Sequence, residues 1–365
     1  MIKGLKIIGI NIGLLAVVAV VTELFFGSIF FGTNYGLLVI DRNVSRSFDI
    51  KNRYGATAAG ALTSRYTRDE HGLRGDYSGP DQIDILTIGG STTNELLIDD
   101  AETWTARLGA DLRASGYDLT VANAGVDGQS TFGHLKNFEL WFPKIRGLAP
   151  KLIIAYVGIN DSTYLRAGFE PTKWDRMEEE NRTVKQFLIN NSALYGLYRT
   201  ARGMMQAREA MLVHSTPTER DPEWRIADPQ PRPDEAAITY ADHMVAYRDR
   251  VLELIRRIRA LGAEAVIVTQ ATGHYQVRDG LVYGRLLADG RIDTDSYDKL
   301  GALNGEAMAA CEAAGAICLD LAPQFDFRDG ETYDFVHTTP PGSAKVAAIL
   351  SEALKPHLPR IFGQP

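Results

Sequence analysis

The sequence lacks the features that mark several classes of protein. Its 365 residues include only two cysteines, Cys311 and Cys318, too few for a disulfide-rich scaffold or a four-cysteine zinc site. No cluster of lysine and arginine resembles the basic footprint that binds phosphate backbones, and the formal charge is -7, so nucleic acid is not an expected partner. No two of the seven histidines have the spacing of metal ligands on one helical face.

The bulk composition is that of an ordinary folded protein. Apolar residues make up 45% of the chain and charged residues 23%, with 34 glycines and 15 prolines, which excludes a fibre or a disordered tail. The length allows one large domain with additions, or two ordinary domains. No internal repeat is visible.

An apolar segment at the N-terminus is long enough to cross a bilayer. It covers 7–21 and, after Thr22 and Glu23, resumes at 24–31. No suitable pair of small residues follows for cleavage of a signal peptide, which favours an uncleaved anchor at 1–32 over a removed signal. Glu23 counts against a buried span unless its carboxylate lies near the outer interface.

The basic residues predict the orientation of that anchor. Lys3 and Lys6 precede the span and the next basic residue is Arg42, so the N-terminus should remain in the cytoplasm. The rest of the chain is then expected to be periplasmic or extracellular. In that oxidising space Cys311 and Cys318 form either a short loop-closing disulfide or two buried thiols, and the sequence leaves both open.

Five short apolar runs, each rich in Ile, Val or Leu, predict strands that are buried on both faces. They lie at 83–88, 119–122, 152–157, 265–269 and 316–321. Helical patterns separate them, the clearest at 102–114 and at 237–260, and Gly262 follows the second of these. The alternation predicts an α/β fold, a three-layer α/β/α sandwich around a parallel five-stranded sheet.

Two parts of the chain do not follow the alternation. Residues 33–82 are interpreted as a connecting segment before a domain at 83–360. Charged residues and prolines cluster between 162 and 236, which indicates an insertion within that domain. Its middle, 192–213, has the pattern of a helix that either packs on the surface, lies on the membrane or covers the substrate.

The first predicted strand leads directly into Gly89, Gly90 and Ser91. Ligands bind at the carboxyl ends of parallel strands, and the two glycines allow a substrate to approach the backbone closely. Amide groups at the start of a following helix can donate to a developing oxyanion. Taken alone, however, the same residues are more often an ordinary turn that caps a helix.

Three further segments strengthen the case for a site. Gly128 lies in a glycine-bearing segment after the second strand, and Asn160 follows the third, where it is either a turn residue or a donor into the same crevice. Asp334 comes three residues before His337, so its carboxylate can bond Nδ1–H on one tight turn. The imidazole Nε2 then remains free to take a proton from Ser91, although an isolated Asp-x-x-His pair is more often structural.

All four segments in this order resemble the SGNH (GDSL-type) hydrolase family, over about 84–350. The resemblance implies a flavodoxin-like sheet and a serine hydrolase. It assigns the nucleophile to Ser91, the base to His337 and the orienting acid to Asp334. The implied oxyanion donors are the Ser91 amide, the Gly128 amide and the Asn160 side chain.

Some details depart from the usual pattern of that family. Its first block often reads Gly-Asp-Ser, whereas Gly90 precedes the serine here, as in a Gly-Gly-Ser-Thr-Thr subgroup. The stretch from His71 to Gly75 also resembles a segment of that subgroup, and the sequence gives it no chemical role. His274 and Tyr275 follow the fourth strand, where they either contact substrate or lie in a solvated loop.

The resemblance and the expected location together imply an esterase. It would cleave acyl esters, O-acetyl groups above all, of a cell-envelope carbohydrate or lipid. No cofactor and no metal is expected, because the serine, its base and the donors suffice for the reaction. Expected partners are the ester substrate and the membrane. Two alternatives stay open: an O-acetyltransferase that uses the same serine, and a non-catalytic, membrane-tethered glycan-binding or assembly protein.

Overall fold

The computed structural model describes residues 2–27, 35, 38, 40–50, 63–165, 191–195, 197–198, 222–287 and 289–364, apart from the side chains of 2–5, 8, 26, 295 and 296. The chain divides into two compact units. The first is Met1–Ile40 with Thr172–Val213, and the second is Asp41–Pro171 with His214–Pro365.

Helices and strands alternate through most of the described residues. The described strands are β1 (Val44–Asp49), β2 (Thr63–Arg68), β3 (Ile85–Gly89), β4 (Val121–Asn123), β5 (Leu152–Tyr156), β6 (Trp224–Ile226), β7 (Glu264–Val268), β8 (Tyr275–Arg278), β9 (Leu281–Leu286), β10 (Ile292–Asp293) and β11 (Ile317–Leu319). The described α-helices are α1 (Ile2–Phe26), α2 (Ser91–Asn94), α3 (Trp104–Ala114), α4 (Thr131–Lys136), α5 (Ile159–Ser162), α6 (Pro233–Thr239), α7 (Ala241–Ala260), α8 (Asp295–Ala313), α9 (Ala322–Phe325), α10 (Pro340–Leu354) and α11 (Leu358–Phe362).

The central sheet of the second unit has five parallel strands in the order β11-β7-β5-β3-β4. Each strand overlaps the apolar run that predicted it, so the α/β fold with a parallel five-stranded sheet is confirmed. β4 lies on one side of β3, and the later strands β5, β7 and β11 lie on its other side. The segments that follow β3, β4 and β5 therefore meet at one edge of the sheet, which is where such folds bind ligands.

Helices cover both faces of this sheet. On one face α3 and α10 contribute Trp104, Leu108 and Leu350 to a buried cluster that includes Leu152 and Ile154 of β5. Because side chains alternate along a strand, the residues between these point to the opposite face. There α7 packs against α8 and against β7. The predicted helix at 237–260 is thus observed as two helices, α6 and α7.

Two antiparallel sheets lie outside the predicted pattern. β1 pairs with β2, so part of the segment interpreted as a connection is a hairpin within the second unit. β6, β8 and β10 pair with β9 in a four-stranded sheet. Asp279 and Gly280, with φ of 50° and 76°, form the turn between β8 and β9.

A disulfide joins Cys311 in α8 to Cys318 in β11. The sequence left the bridge and a pair of free thiols as equal alternatives. The bond connects the end of a helix to the edge strand of the central sheet, on which that helix packs.

The first unit contains α1 and a short described stretch of the insertion. The Glu23 carboxylate accepts hydrogen bonds from the Ser192 hydroxyl (2.6 Å), the Ala193 amide (2.8 Å) and the Leu194 amide (3.1 Å). Over the described side chains, no helix combines the length and the apolar character that crossing a membrane requires. Most of the predicted helix at 192–213, and of the insertion at 162–236, lies outside the described residues.

Candidate active site

The turn from β3 into α2 positions Ser91. The strand ends at Gly89 and the helix begins at Ser91, so the chain changes direction across Gly90. A Cβ atom at Gly90 would overlap the Asn160 side-chain nitrogen, and one at Gly89 would overlap Thr93. Only glycine fits at either position, which lets the backbone carrying the serine pack closely against its neighbours.

A chain of hydrogen bonds runs from Ser91 to Asp334. The Ser91 hydroxyl lies 2.7 Å from Nε2 of His337, and Nδ1 of the same ring lies 2.8 Å from Oδ2 and 3.0 Å from Oδ1 of Asp334. A carboxylate can only accept, so Nδ1 carries the ring proton and Nε2 is the acceptor for Ser91. Both His337 and Asp334 are buried, at 7% and 8% exposure.

The surroundings of Asp334 favour its ionised form. Burial alone would raise the pKa of this carboxyl, but the hydrogen bond and charge of His337 hold the pKa below its ordinary value. The backbone amides of His337 (2.8 Å) and Val336 (3.2 Å) also donate to Oδ1. Asp334 is therefore an anion at neutral pH, as the orienting partner of an imidazole requires.

The loop that carries the acid and the base is closely held. The Tyr333 ring stacks on the His337 ring, with centroids 5.6 Å apart and planes inclined by 18°. Phe335 has a φ of 66°, a left-handed conformation that is uncommon for a bulky residue. Its carbonyl accepts a 2.6 Å hydrogen bond from the Gly273 amide. These contacts restrict how the imidazole can turn.

The other two predicted oxyanion donors lie next to the Ser91 turn. The Asn160 side-chain nitrogen, which packs against Gly90, donates to the Gln129 carbonyl at 2.8 Å. Gly128 precedes that residue in a left-handed conformation, with a φ of 73°. The structure thus brings Asn160 and the 128–129 peptide to the end of β3, where the sequence predicted donors.

Two buried polar side chains, Asn137 and His134, hold the Gln129 side chain next to that peptide. The Gln129 amide exchanges two 2.9 Å hydrogen bonds with Asn137, and its oxygen also contacts Nδ1 of His134 at 3.2 Å. Burial lowers the pKa of His134 to about 3, so its imidazole is neutral near pH 7. The sequence patterns assigned no role to His134 or Asn137.

A buried ion pair holds the segment that carries Asn160. The next residue, Asp161, accepts hydrogen bonds from the Thr131 amide (3.1 Å) and hydroxyl (2.5 Å), and lies 3.3 Å from Nη2 of Arg250. Burial raises the pKa of Asp161, while Arg250 and Thr131 act in the opposite direction. The Arg250 guanidinium also lies 3.9 Å from the Phe132 ring centroid.

The stretch from His71 to Gly75 has a structural role that its sequence did not reveal. Arg74, only 3% exposed, donates to the carbonyls of Asn94, Glu95 (3.2 Å) and Ile98 (3.1 Å), and to the Asp100 carboxylate (2.7 Å). Asn94 is the last residue of α2 and the other acceptors follow it, so one guanidinium caps that helix and fixes the loop after it.

A second buried arginine connects the same helix to the segment after β4 that carries Gly128. Arg68 donates to the Asn94 side-chain oxygen at 2.7 Å and to the Gly125 carbonyl. The Asn94 amide in turn donates to Asp127 at 2.6 Å. No periodic pattern marks either arginine. Arg74 was noted only within the stretch from His71 to Gly75, and Arg68 was not predicted.

His274 and Tyr275 occupy different surroundings. The His274 ring lies 5.8 Å from the Phe335 ring, beside the loop that carries His337. Tyr275 begins β8, and its ring packs edge-on against Tyr297 at 4.9 Å. Burial raises the pKa of the Tyr275 hydroxyl. His274 therefore lies beside the loop that carries Asp334 and His337, whereas the Tyr275 ring packs against α8.

The sequence matches a known protein family. The model of the GDSL-like lipase/acylhydrolase family matches residues 84–345, well over half of the chain. The chain belongs to this family. The matched range begins just before β3, and it includes the serine of the Ser91 turn, the Asn160 segment and the loop with Asp334 and His337. As a member of this GDSL-like family, the protein is an SGNH-type acylhydrolase.

Solved structures include chains that are similar to this one at low identity. TesA is 15% identical and covers 74% of this chain and 98% of its own, with a TM-score of 0.41. A GDSL-like lipase from Bacteroides thetaiotaomicron is 12% identical, covering 76% and 90%, with a TM-score of 0.38. An acetylxylan esterase from Geobacillus stearothermophilus is 12% identical, covering 77% and 94%, with a TM-score of 0.40. No curated protein sequence matches the chain.

Proposed function

We propose that this acylhydrolase is a serine esterase with Ser91 as nucleophile, His337 as general base and Asp334 as its orienting acid. One observation carries the proposal: the hydrogen bonds that run from the Ser91 hydroxyl through both nitrogens of His337 to the Asp334 carboxylate. A hydroxyl needs such a base to become an effective nucleophile near neutral pH.

The reaction divides into acylation and deacylation. Nε2 of His337 takes the Ser91 proton as Oγ attacks the ester carbonyl, and the charge that develops on the carbonyl oxygen is stabilised by the Ser91 amide, the Gly128 amide and the Asn160 side chain. The imidazolium then gives its proton to the departing alcohol. In the second half His337 takes a proton from water as the water oxygen attacks the acyl carbon. The imidazolium then gives that proton to the departing Ser91 oxygen, which frees the acid product.

We place the catalytic unit on the outer side of a membrane, anchored through residues 1–32. In support, apolar side chains of α1 such as Ile10, Leu15 and Phe25 are 70%, 68% and 78% exposed, and a disulfide is typical of an oxidising compartment. The chain should sediment with membranes and resist a carbonate wash. Release by carbonate alone would rule out the anchor.

The proposed substrate is an acyl ester, above all an O-acetyl ester, of a carbohydrate or lipid in the cell envelope. This follows from the proposed location and from the acylhydrolase family. The test is a series of p-nitrophenyl esters from acetate to octanoate, followed by O-acetylated polysaccharides, with Ser91→Ala as control. If the wild type releases free acetate and the variant does not, the result supports the esterase function. Acetyl groups that appear on an added sugar acceptor instead would identify a transferase.

A further inference from the structure

Glu95 is a buried carboxylate that lies close to the triad without belonging to it. It is 4% exposed, follows the last residue of α2 and has a φ of 50°. Its amide donates to the carbonyl of Ser91 at 2.8 Å. Its backbone is therefore bonded to the residue that carries the proposed nucleophile.

The Glu95 side chain reaches three other parts of the fold. Oε2 accepts the backbone N–H of Trp104 at 2.6 Å, at the start of α3. Oε1 accepts the hydroxyl of Thr338 at 2.6 Å and the hydroxyl of Ser343, which lies in α10. Thr338 directly follows His337 in the chain. One residue thus bonds the Ser91 helix through its backbone and the His337 loop through its side chain.

A buried carboxylate destabilises the fold more than an apolar side chain would at a position that requires only packing. Burial raises the pKa of Glu95 to about 7, against the hydrogen bonds from Ser343, Thr338 and Trp104 that lower it. An apolar residue of similar volume avoids that desolvation cost. The Glu95 carboxylate is instead suited to accept hydrogen bonds from several donors at once, and one of these donors, Thr338, is next to His337 in the chain.

We infer that Glu95 is a positioning residue, which holds the His337 loop at the distance from Ser91 that proton transfer requires. This inference rests on the proposed function. Proton transfer needs the nitrogen and the hydroxyl within hydrogen-bond reach, and an error of about 1 Å in such a site costs about 100-fold in rate. The hydroxyl of Thr338 is the link between the two.

The test removes that link without emptying the site. Thr338→Val replaces the hydroxyl by a methyl group of similar size, and Thr338→Ser keeps the hydroxyl. Glu95→Ala removes the acceptor itself. Ser351→Ala is the matched control, because Ser351 in α10 also carries a buried hydroxyl and lies outside this set of contacts. Circular dichroism shows which variants fold. If Glu95→Ala does not fold, Thr338→Val still tests the inference.

Activity is measured on p-nitrophenyl acetate with the whole chain. Thr338→Val should lower kcat about 10-fold to 100-fold with KM within about threefold, Thr338→Ser should restore kcat, and Ser351→Ala should match the wild type. The proton on Nδ1 of His337, identified by its absence from the NMR spectrum of His337→Ala, should shift in Thr338→Val and keep its wild-type position in Thr338→Ser and Ser351→Ala.

The outcomes separate this inference from the function on which it rests. A wild type that cleaves no ester overturns the esterase and the positioning role together. An active wild type with an unchanged kcat and an unshifted Nδ1 proton in Thr338→Val overturns the positioning role and leaves the esterase standing.

Discussion

The His337 imidazole is held on three sides. Nδ1 bonds Asp334, Nε2 bonds Ser91, and the Tyr333 ring stacks on its face at 5.6 Å. The carboxylate selects the tautomer, and the stacked ring restricts rotation about χ2. The imidazole is thus arranged for proton transfer before any substrate binds.

Replacing Asp334 by Asn tests the orienting role at this scale. The Asn amide can turn its NH₂ toward Nδ1, which would move the ring proton to Nε2 and leave no acceptor for Ser91. We expect kcat to fall by on the order of 10⁴-fold with little change in folding. Asp118→Asn is the control, since that side chain is 86% exposed and should tolerate the change. Equal kcat values for the two variants would contradict the assignment.

Replacing Glu95 by Gln tests its burial through the pH dependence of stability. Burial raises the pKa of Glu95 to about 7, from 4.5 as the ordinary value. Between those pH values an unfolded chain loses the proton while the folded chain keeps it, so ionisation favours unfolding. The free energy of unfolding should fall as pH rises through this window, by up to about 3 kcal/mol, and Glu95→Gln should lack that decline. Urea titrations from pH 4 to 8 measure it. A difference between the two proteins that is constant with pH would contradict the burial.

Local spacing explains which residues of the site could be predicted. Asp334 and His337 share one turn, so their contact is almost independent of the rest of the fold. Arg74 and Glu95 act through partners that are distant in sequence, and a buried charge leaves no periodic signature. Their roles therefore become visible only when the fold brings those partners together.

At the scale of elements, the site depends on three strand ends that meet at one edge of the sheet. β3 leads to Ser91, β4 to Gly128 and β5 to Asn160. Close packing between these ends leaves no room for side chains at the turn. The glycines are therefore as important to the geometry as the polar residues.

Gly90→Ala tests that packing. Its Cβ would overlap the Asn160 side-chain nitrogen, so we expect the donor to move and kcat to fall about 100-fold to 1,000-fold, as for loss of one oxyanion donor. Gly305→Ala is the matched control in α8, where a Cβ meets no atom within 4 Å. It should keep full activity and equal or higher stability, because alanine favours helix. The same kcat in both variants would refute the packing argument.

The central strands could be predicted and the accessory strands could not, for one physical reason. The central strands are buried on both faces, so they are continuous apolar runs. β8 and β9 mix apolar with charged residues, and β6 and β10 have only three and two residues. The Asp279-Gly280 turn was the available signal for that hairpin.

At the scale of the whole molecule, the disulfide closes a short loop between α8 and the edge strand β11. The two cysteines are seven residues apart. A closed loop of this size should stabilise the fold by about 2 to 3 kcal/mol by restricting the unfolded chain.

Reduction of the disulfide should therefore lower stability without removing activity. The double variant Cys311→Ala, Cys318→Ala should show a lower melting temperature and an unchanged kcat on p-nitrophenyl acetate. Dithiothreitol should lower the melting temperature of the wild type and leave that of the double variant unchanged. A lower kcat at temperatures where the double variant is fully folded would show that the bridge also supports the site.

Labelling of the 365-residue chain with a fluorophosphonate probe tests whether Ser91 is an activated nucleophile. We predict one adduct, located on Ser91 by mass spectrometry, and a labelling rate at least 1,000-fold lower in His337→Ala. Failure to label a folded wild type, or labelling of Ser91 that does not depend on His337, would contradict an activated serine at this site.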